Sequence, residues 1–390
     1  MPAQSALPAP NADARAHSAR VAAHIRAEIA AAGGWITFAH YMQLALYAPG
    51  LGYYAAGAAK FGAAGDFVTA PEMTPLFARA LAVQVASILD ATAQREILEL
   101  GAGSGRLAAD LLVALAARDA LPSRYLILEP SPELRERQRS TIAREAPAHA
   151  PRVTWLDALP ESVAGAVVAN EVLDAVPAHL VARRGPAICE RGVVISGDPS
   201  ATFAWEERPA GARLSALAAA RLPAGADYLS EVNPAAEALV RSLCNRLVNG
   251  AVLLVDYGFP AAEYYHPQRS AGTLMCHYRH RSHGDPFAWP GLTDITAHVD
   301  FSAMAAAGAR AGLTVAGFTA QAPFLLGCGI LDALAAVGAP DSVAYIKAAA
   351  PVQKLLSPAE MGELFKVLAL ARSDAIAWPG FALADRGSRL

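Results

Sequence analysis

The sequence predicts an α/β fold: a Rossmann-like, mainly parallel sheet with helices on both faces. Three observations point there. From residue 96 onward, short apolar runs of strand length alternate with segments of helical period, the pattern of repeated βαβ units. A Gly-rich turn separates the first of these strands from its helix. Residues 251–255 are apolar throughout, as in a strand covered on both sides.

Taken in order, residues 1–20 are rich in Ala and Pro and carry Arg15 and Arg20 without the apolar core of a secretory signal, so they read as a disordered tail. Residues 21–95 read as an N-terminal cap of helices and loops. A helical pattern over 21–32 stops at Gly33-Gly34, and Thr37 caps a short helix that ends before Pro49-Gly50. Residues 50–73 show no regular period, and Thr74-Pro75 then supplies an N-cap and a first-turn proline for a helix to about residue 89. The core is expected over 96–320, with strands at 96–100, 125–128, 152–156, 166–169 and 251–255, helices at 107–117 and 132–145, and a late strand near 313–318. An insertion over about 178–230, between strands four and five, holds short β-like runs and an Ala/Leu-rich stretch. Residues 259–300 read as a long polar and aromatic loop region, and 321–390 as a helical C-terminal extension.

Composition narrows the function. The 390 residues are 54% hydrophobic, enough for a large core, yet no stretch of about 18 residues is apolar enough to span a bilayer. No membrane insertion is expected. A formal charge of −3 gives no global attraction to nucleic acid. Cys189, Cys244, Cys276 and Cys328 lie far apart with no Cys-x-x-Cys pair, which argues against a disulfide framework and fits a reducing compartment. The run Cys276-His277-Tyr278-Arg279-His280-Arg281-Ser282-His283 spaces three histidines evenly, but Gly272 and Gly284 bracket an irregular segment. A polar, substrate-facing loop is preferred there, and no metal site is assigned.

The chemistry starts at Glu99-Leu100-Gly101-Ala102-Gly103-Ser104-Gly105. Glycines at a strand-to-helix turn let the backbone bend sharply and approach a ligand. The spacing is G-x-G-x-G, and Arg106 occupies the position of the third glycine of a dinucleotide fingerprint, which disfavours NAD. With Glu99 just ahead of it, the turn reads as the first motif of a methyltransferase that binds S-adenosyl-L-methionine. Glu129 ends the second strand, where a carboxylate accepts both ribose hydroxyls; the alternative is a solvated strand end. Asp157, after the third strand, suits the adenine amino group, or simply starts a turn. Asn170-Glu171-Val172-Leu173-Asp174-Ala175-Val176-Pro177 follows the fourth strand. Its two acids, Glu171 and Asp174, suit a guanidinium held by two-point hydrogen bonds, or serve the start of a helix. His298 and Asp300 orient a substrate or cap the next helix.

These runs recur, in the same order, in a known family, together with Gly65-Asp66-Phe67-Val68-Thr69-Ala70-Pro71-Glu72, Ser230-Glu231-Val232-Asn233, Asp256-Tyr257-Gly258, Gly272-Thr273-Leu274 and the segment 294–301. From about Ala22 to Leu370 the chain resembles the MidA-like methyltransferases. The resemblance implies a class I methyltransferase sheet and symmetric dimethylation of arginine on a core subunit of respiratory complex I. It implies further that Gly65, Asp66 and Phe67 close over the cofactor, while Glu72 and the Glu171/Asp174 segment lie near the substrate; Asn170 is read as a cofactor-binding residue and His298 as a catalytic one. A protein substrate is the expected partner, and a homodimer stays compatible with the sequence. The expected location is the bacterial cytoplasm, with the mitochondrial matrix for eukaryotic relatives. Two other readings stay open: methylation of a small molecule or another side chain, and a cofactor-binding assembly factor without essential catalysis.

Overall fold

Glu96–Leu100 (β1) is buried at all five positions, so it belongs in the middle of a sheet. It pairs in parallel with Arg124–Leu128 (β2), beyond which lies Val153–Leu156 (β3), and on its other side with Val163–Asn170 (β4). Leu247–Phe259 (β5) extends the parallel set from β4. Thr314–Ala320 (β6) and Phe365–Ala371 (β7) complete it, with β7 antiparallel to both β5 and β6. The order across the sheet is 3-2-1-4-5-7-6. Strand order reverses between β1 and β4, and ligands of open α/β sheets bind outside the carboxyl ends of the strands at that point. The computed structural model describes residues 7–55, 69–198, 201–225 and 227–390.

This sheet carries one of two compact units, formed by 68–173, 237–260 and 299–390. Pro75–Asp90 (α1) begins where Thr74 Oγ1 accepts the N–H of Leu76. Arg106–Ala116 (α2) begins directly at Gly105, and Pro132–Glu145 (α3) at Ser131, whose hydroxyl accepts the N–H of Leu134. Leu81 and Val85 of α1 and Leu111 and Leu115 of α2 pack with Ile97, Val168 and Leu253 of the sheet in one cluster. Each such fully buried side chain contributes roughly 2–3 kcal/mol. Helix α3 is polar and buries only Gln138, Thr141 and Ile142, a narrow stripe at i, i+3 and i+4.

The other unit draws on 1–67, 174–236 and 261–298. Its helices Ala12–Ala31 and Phe38–Tyr47 are capped by Asn11 and Thr37. Its main sheet is antiparallel, with Ala187–Ile195 paired to His179–Arg184, Phe203–Pro209 and Ile36–Thr37, and Tyr228–Val232 beyond His179–Arg184. A second sheet sets Met275–Tyr278 between Arg281–His283 and Asp294–Thr296. Glu231 and Gly272 account for two of the sequence runs together. The Glu231 carboxylate accepts the N–H groups of Thr273 and Leu274, each at 3.0 Å, and the Thr273 hydroxyl at 2.9 Å. A Cβ on Gly272 would stand 2.5 Å from that carboxylate, so the glycine makes room for it.

Three segments differ from the sequence reading. Residues 12–20, expected in a disordered tail, are helical, because Ser18 joins Val21, Ala22, Ile25 and Ile29 in a buried stripe. The C-terminal segment is not only helical, since Phe365–Ala371 is the interior strand β7, between β5 and β6 and buried at every position. An apolar run of that length is ambiguous between strand and buried helix. The histidine-rich run is a hairpin, with Tyr278 paired to Arg281 across Arg279 and His280. Those two residues have φ of 47° and 58°, the left-handed pair of a tight turn that Asn-Gly usually signals. Among the described residues, no helix is long and apolar enough to cross a membrane.

Candidate active site

At the end of β1 the chain turns through Gly101, Gly103 and Gly105, with φ of 60°, 53° and 84°. All three lie in the left-handed region that L side chains disfavour. Space is closed as well: a Cβ on Gly101 would stand 2.9 Å from Val172 Cγ2, and one on Gly105 2.9 Å from Gln138 Cα. Gly105 is the N-cap of α2 and offers no capping side chain, so the helix presents backbone N–H groups at the turn.

Glu99 lies within β1 and is buried. Burial pushes its carboxyl up to about 7, against the hydrogen bond donated by Tyr125 Oη to Oε2 at 2.6 Å. Glu129 follows β2 and is also buried. Desolvation raises its pKa, opposed by the Ser131 N–H (2.9 Å to Oε1), Gln138 Nε2 (3.1 Å to Oε2) and the charge of Arg135. Arg135 also donates to the Glu129 carbonyl, to Leu156 O at 2.9 Å and to Asp157 Oδ1 at 2.6 Å. It thus ties the ends of β2 and β3, and Asp157 stands there as an exposed ion-pair partner.

Asn170 ends β4, and its Nδ2 donates to Glu171 Oε1 at 3.2 Å. Its buried Oδ1 meets no donor among the described residues. Glu171 has φ of 53°, which is costly for a residue with a Cβ. Its N–H donates to Val255 O at 2.9 Å, and its Oε1 accepts the Ala70 N–H at 3.4 Å. Asp256, at the end of β5, accepts the N–H groups of Val172 at 3.1 Å and Leu173 at 2.9 Å through one oxygen, and that of Tyr257 at 2.9 Å through the other. The turn that follows β4 is therefore fastened to β5. Glu72, expected on the substrate side, sits in the one-turn helix Ala70–Met73 and accepts a hydrogen bond from Ser104 of the Gly turn.

Nine of the candidate site residues read from sequence thus gather at the carboxyl edge of the sheet: Glu72, Glu99, Gly101, Gly103, Gly105, Glu129, Asp157, Asn170 and Glu171. Asp174 and His298 fall in the other unit. There Asp174 is buried. Burial, with the charges of Asp294 and Asp174 among its neighbours, raises the pKa of Tyr54, whose hydroxyl donates to Asp294 Oδ1 at 2.9 Å. The His298 N–H donates to Thr273 Oγ1 at 3.0 Å. Asp300 caps the following helix through the Ala303 N–H. Gly65, Asp66 and Phe67 lie outside the described residues. Sequence reasoning assigned no role to Ser104, Tyr125, Gln138, Trp155 or Asp256. Ser104 and Asp256 stood inside quoted sequence runs without a role, and Gln138 left a trace as a polar residue on the buried stripe of α3.

The set fits an adenosyl ligand carrying a cationic centre. The glycines leave the turn open to close backbone approach, buried Glu99 gains by meeting positive charge, and Glu129 keeps lone pairs on both oxygens that no donor among the described residues takes up.

Comparison with known proteins agrees. Residues 80–319, more than half of the chain, match the family model described as "Putative S-adenosyl-L-methionine-dependent methyltransferase". The mitochondrial protein arginine methyltransferase NDUFAF7 of Mus musculus is 30% identical over 86% of this chain and 81% of its own. The NDUFAF7 homolog of Drosophila melanogaster is 28% identical over 93% and 87%. The crystal structure of a Burkholderia thailandensis protein bound to S-adenosyl-homocysteine is 53% identical, with 99% of this chain and 100% of that one covered at a TM-score of 0.93. By its family match, its sheet order and its Gly turn, the chain belongs to the S-adenosyl-L-methionine-dependent methyltransferases and takes S-adenosylmethionine as its cofactor.

Proposed function

We propose that this methyltransferase modifies arginine in a protein, forming symmetric dimethylarginine on a core subunit of respiratory complex I. The names of the NDUFAF7 relatives support arginine as the acceptor, and the resemblance to the MidA-like family supports the complex I target. The observation that carries the reading is Glu171, a carboxylate on a strained backbone at the end of β4, fastened from β5 through Asp256. A guanidinium presents donors in a fixed fork, and a carboxylate held in one orientation aligns it by two parallel hydrogen bonds.

The bound cofactor supplies an electrophilic methyl group on a sulfonium. Around it, Gly101, Gly103 and Gly105 admit the backbone to contact distance, Glu129 accepts the ribose hydroxyls and Asp157 the adenine amino group. Asn170 completes the cofactor side. Glu171 orients the guanidinium so that a nitrogen lone pair faces the methyl, and accepts the proton only after transfer, because arginine is too basic to lose it first. Glu72 serves the same side, and the family resemblance gives Asp174 and His298 a part in handling the substrate. The rate gain comes from positioning and fixed charge. In a bacterium the reaction takes place in the cytoplasm.

The test is incubation of the purified protein with radiolabelled S-adenosylmethionine and isolated complex I subunits, followed by mass mapping. Methylarginine formed by the wild type and lost in Glu171→Gln, with cofactor affinity kept, supports the proposal. Label on another side chain, or transfer only to small molecules, overturns the arginine assignment.

A further inference from the structure

We infer that Gln138 is a positioning residue for the cofactor's ribose: its amide fixes the plane of the Glu129 carboxylate and ties it to the Gly turn. The inference rests on Glu129 as acceptor of the ribose hydroxyls.

Gln138 has no exposed surface, so its polar atoms must find partners inside the protein. Trp155 Nε1–H donates to Oε1 at 2.8 Å, and Nε2 donates to both Gly103 O and Glu129 Oε2 at 3.1 Å. An indole N–H can only donate, so the amide has one workable orientation. Turned over, its oxygen would face the Gly103 carbonyl and the Glu129 carboxylate, and its NH2 would face the indole N–H. Trp155 is held in turn by the Arg139 guanidinium, 4.8 Å from its ring centroid. The Gly turn and the ribose acid are therefore set by one side chain, whose orientation is dictated from β3.

The consequence concerns the lone pairs left over. Glu129 Oε1 already accepts Ser131 N–H and Oε2 accepts Gln138. Each oxygen keeps a further acceptor site, and the two pinned oxygens offer these sites side by side, as a vicinal diol requires. Gln138 also donates to the carboxylate, which works in favour of the charged form against the burial that opposes it.

The experiment measures dissociation constants for S-adenosyl-homocysteine and for its 2′,3′-dideoxy analogue with wild type, Gln138→Leu, Trp155→Phe and Glu129→Gln. Gln138→Leu is expected to weaken S-adenosyl-homocysteine about tenfold and the dideoxy analogue by less than about twofold. Its acid limb of binding should also move to higher pH, because the carboxyl has lost a donor to its ionised form. Trp155→Phe, which removes the indole N–H that orients the amide, should give the same ligand-selective loss at about threefold, and it decides the matter if Gln138→Leu does not fold. Equal losses on both ligands, or an unmoved pH limb, make Gln138 a packing residue and overturn the inference. Unchanged affinity in Glu129→Gln removes the ribose reading of Glu129 itself, and the inference falls with it.

Discussion

Replacing Glu171 by alanine and by glycine separates strain from chemistry. At φ of 53° a residue with a Cβ costs roughly 1–2 kcal/mol that glycine avoids. Both substitutions delete the carboxylate and its bonds to the Ala70 N–H and Asn170 Nδ2, so those losses cancel in the comparison. What remains is the strain, less the extra freedom of glycine in the unfolded chain, about 0.4–1 kcal/mol. The glycine variant should therefore be more stable than the alanine variant by about 1 kcal/mol, a difference of roughly 2–3 °C in Tm. Urea unfolding followed by far-UV circular dichroism and by tryptophan fluorescence reads this as a shift in midpoint. Coincidence of the two signals checks that the transition is cooperative. Both variants should lose methyl transfer by more than about a hundredfold while binding S-adenosyl-homocysteine within about threefold of wild type. If alanine is as stable as glycine, the turn is not held in the left-handed region. If either variant still transfers methyl groups, Glu171 is not the group that orients the acceptor.

Three more substitutions probe the same edge of the sheet. Asp256→Ala leaves the N–H groups of Val172, Leu173 and Tyr257 without the carboxylate they share; it should cost about 3 kcal/mol and reduce transfer more than cofactor affinity, read by urea melts and steady-state kinetics. Gly105→Ala combines a φ of 84° with a Cβ 2.9 Å from Gln138 Cα, and should destabilise by about 2–4 kcal/mol and weaken S-adenosyl-homocysteine at least about tenfold by calorimetry. Glu99 is pushed up to about 7 in the fold, so between the unfolded carboxyl range and pH 7 the native state holds the extra proton. Its contribution is complete below about pH 4.5 and is lost as pH rises through 7, a fall of about 3 kcal/mol in the ligand-free protein. Glu99→Gln should flatten that limb of the stability profile; a limb unchanged in the variant would assign the titration elsewhere.

Much of the geometry of the Gly turn and its neighbouring acids was legible because its physics is local. Three glycines two apart after an apolar run, and an acid at the end of the next strand, are constraints written into single segments. Their positive φ values and the burial of Glu99 and Glu129 then follow. The strand β7 was not legible, because Phe365–Ala371 is apolar at nearly every position and its partners, β5 and β6, are distant in sequence. The hairpin at Arg279-His280 was missed for the opposite reason: its turn uses residues that rarely adopt the left-handed conformation, so the local signal is misleading. Asp256 and Gln138 act through atoms of other segments. Asp256 reads in sequence as the polar end of a strand, and only the pairing of β5 with β4 reveals that it fastens the turn carrying Glu171.

The buried acids sort by how completely the protein itself coordinates them. Glu231 receives the N–H groups of Thr273 and Leu274, the Thr273 hydroxyl and, at 3.3 Å, the Tyr264 hydroxyl. Asp256 receives three backbone N–H groups. A carboxylate so surrounded exchanges its water shell for fixed donors and needs nothing further to stay buried, so both acids are fasteners of loops. Glu99, by contrast, receives one hydroxyl and Glu129 two N–H donors among the described residues, and burial raises the pKa of both. Leaving two carboxylates short of donors beside a glycine turn is unfavourable in the free protein. The deficit is removed by a ligand that brings hydroxyl donors to one and positive charge to the other, which are the two features an adenosyl sulfonium carries and a neutral apolar ligand lacks. On the roles proposed for these two acids, folding stability and cofactor affinity are coupled there, and substitutions that relieve the deficit without ligand should stabilise the free protein at the expense of binding.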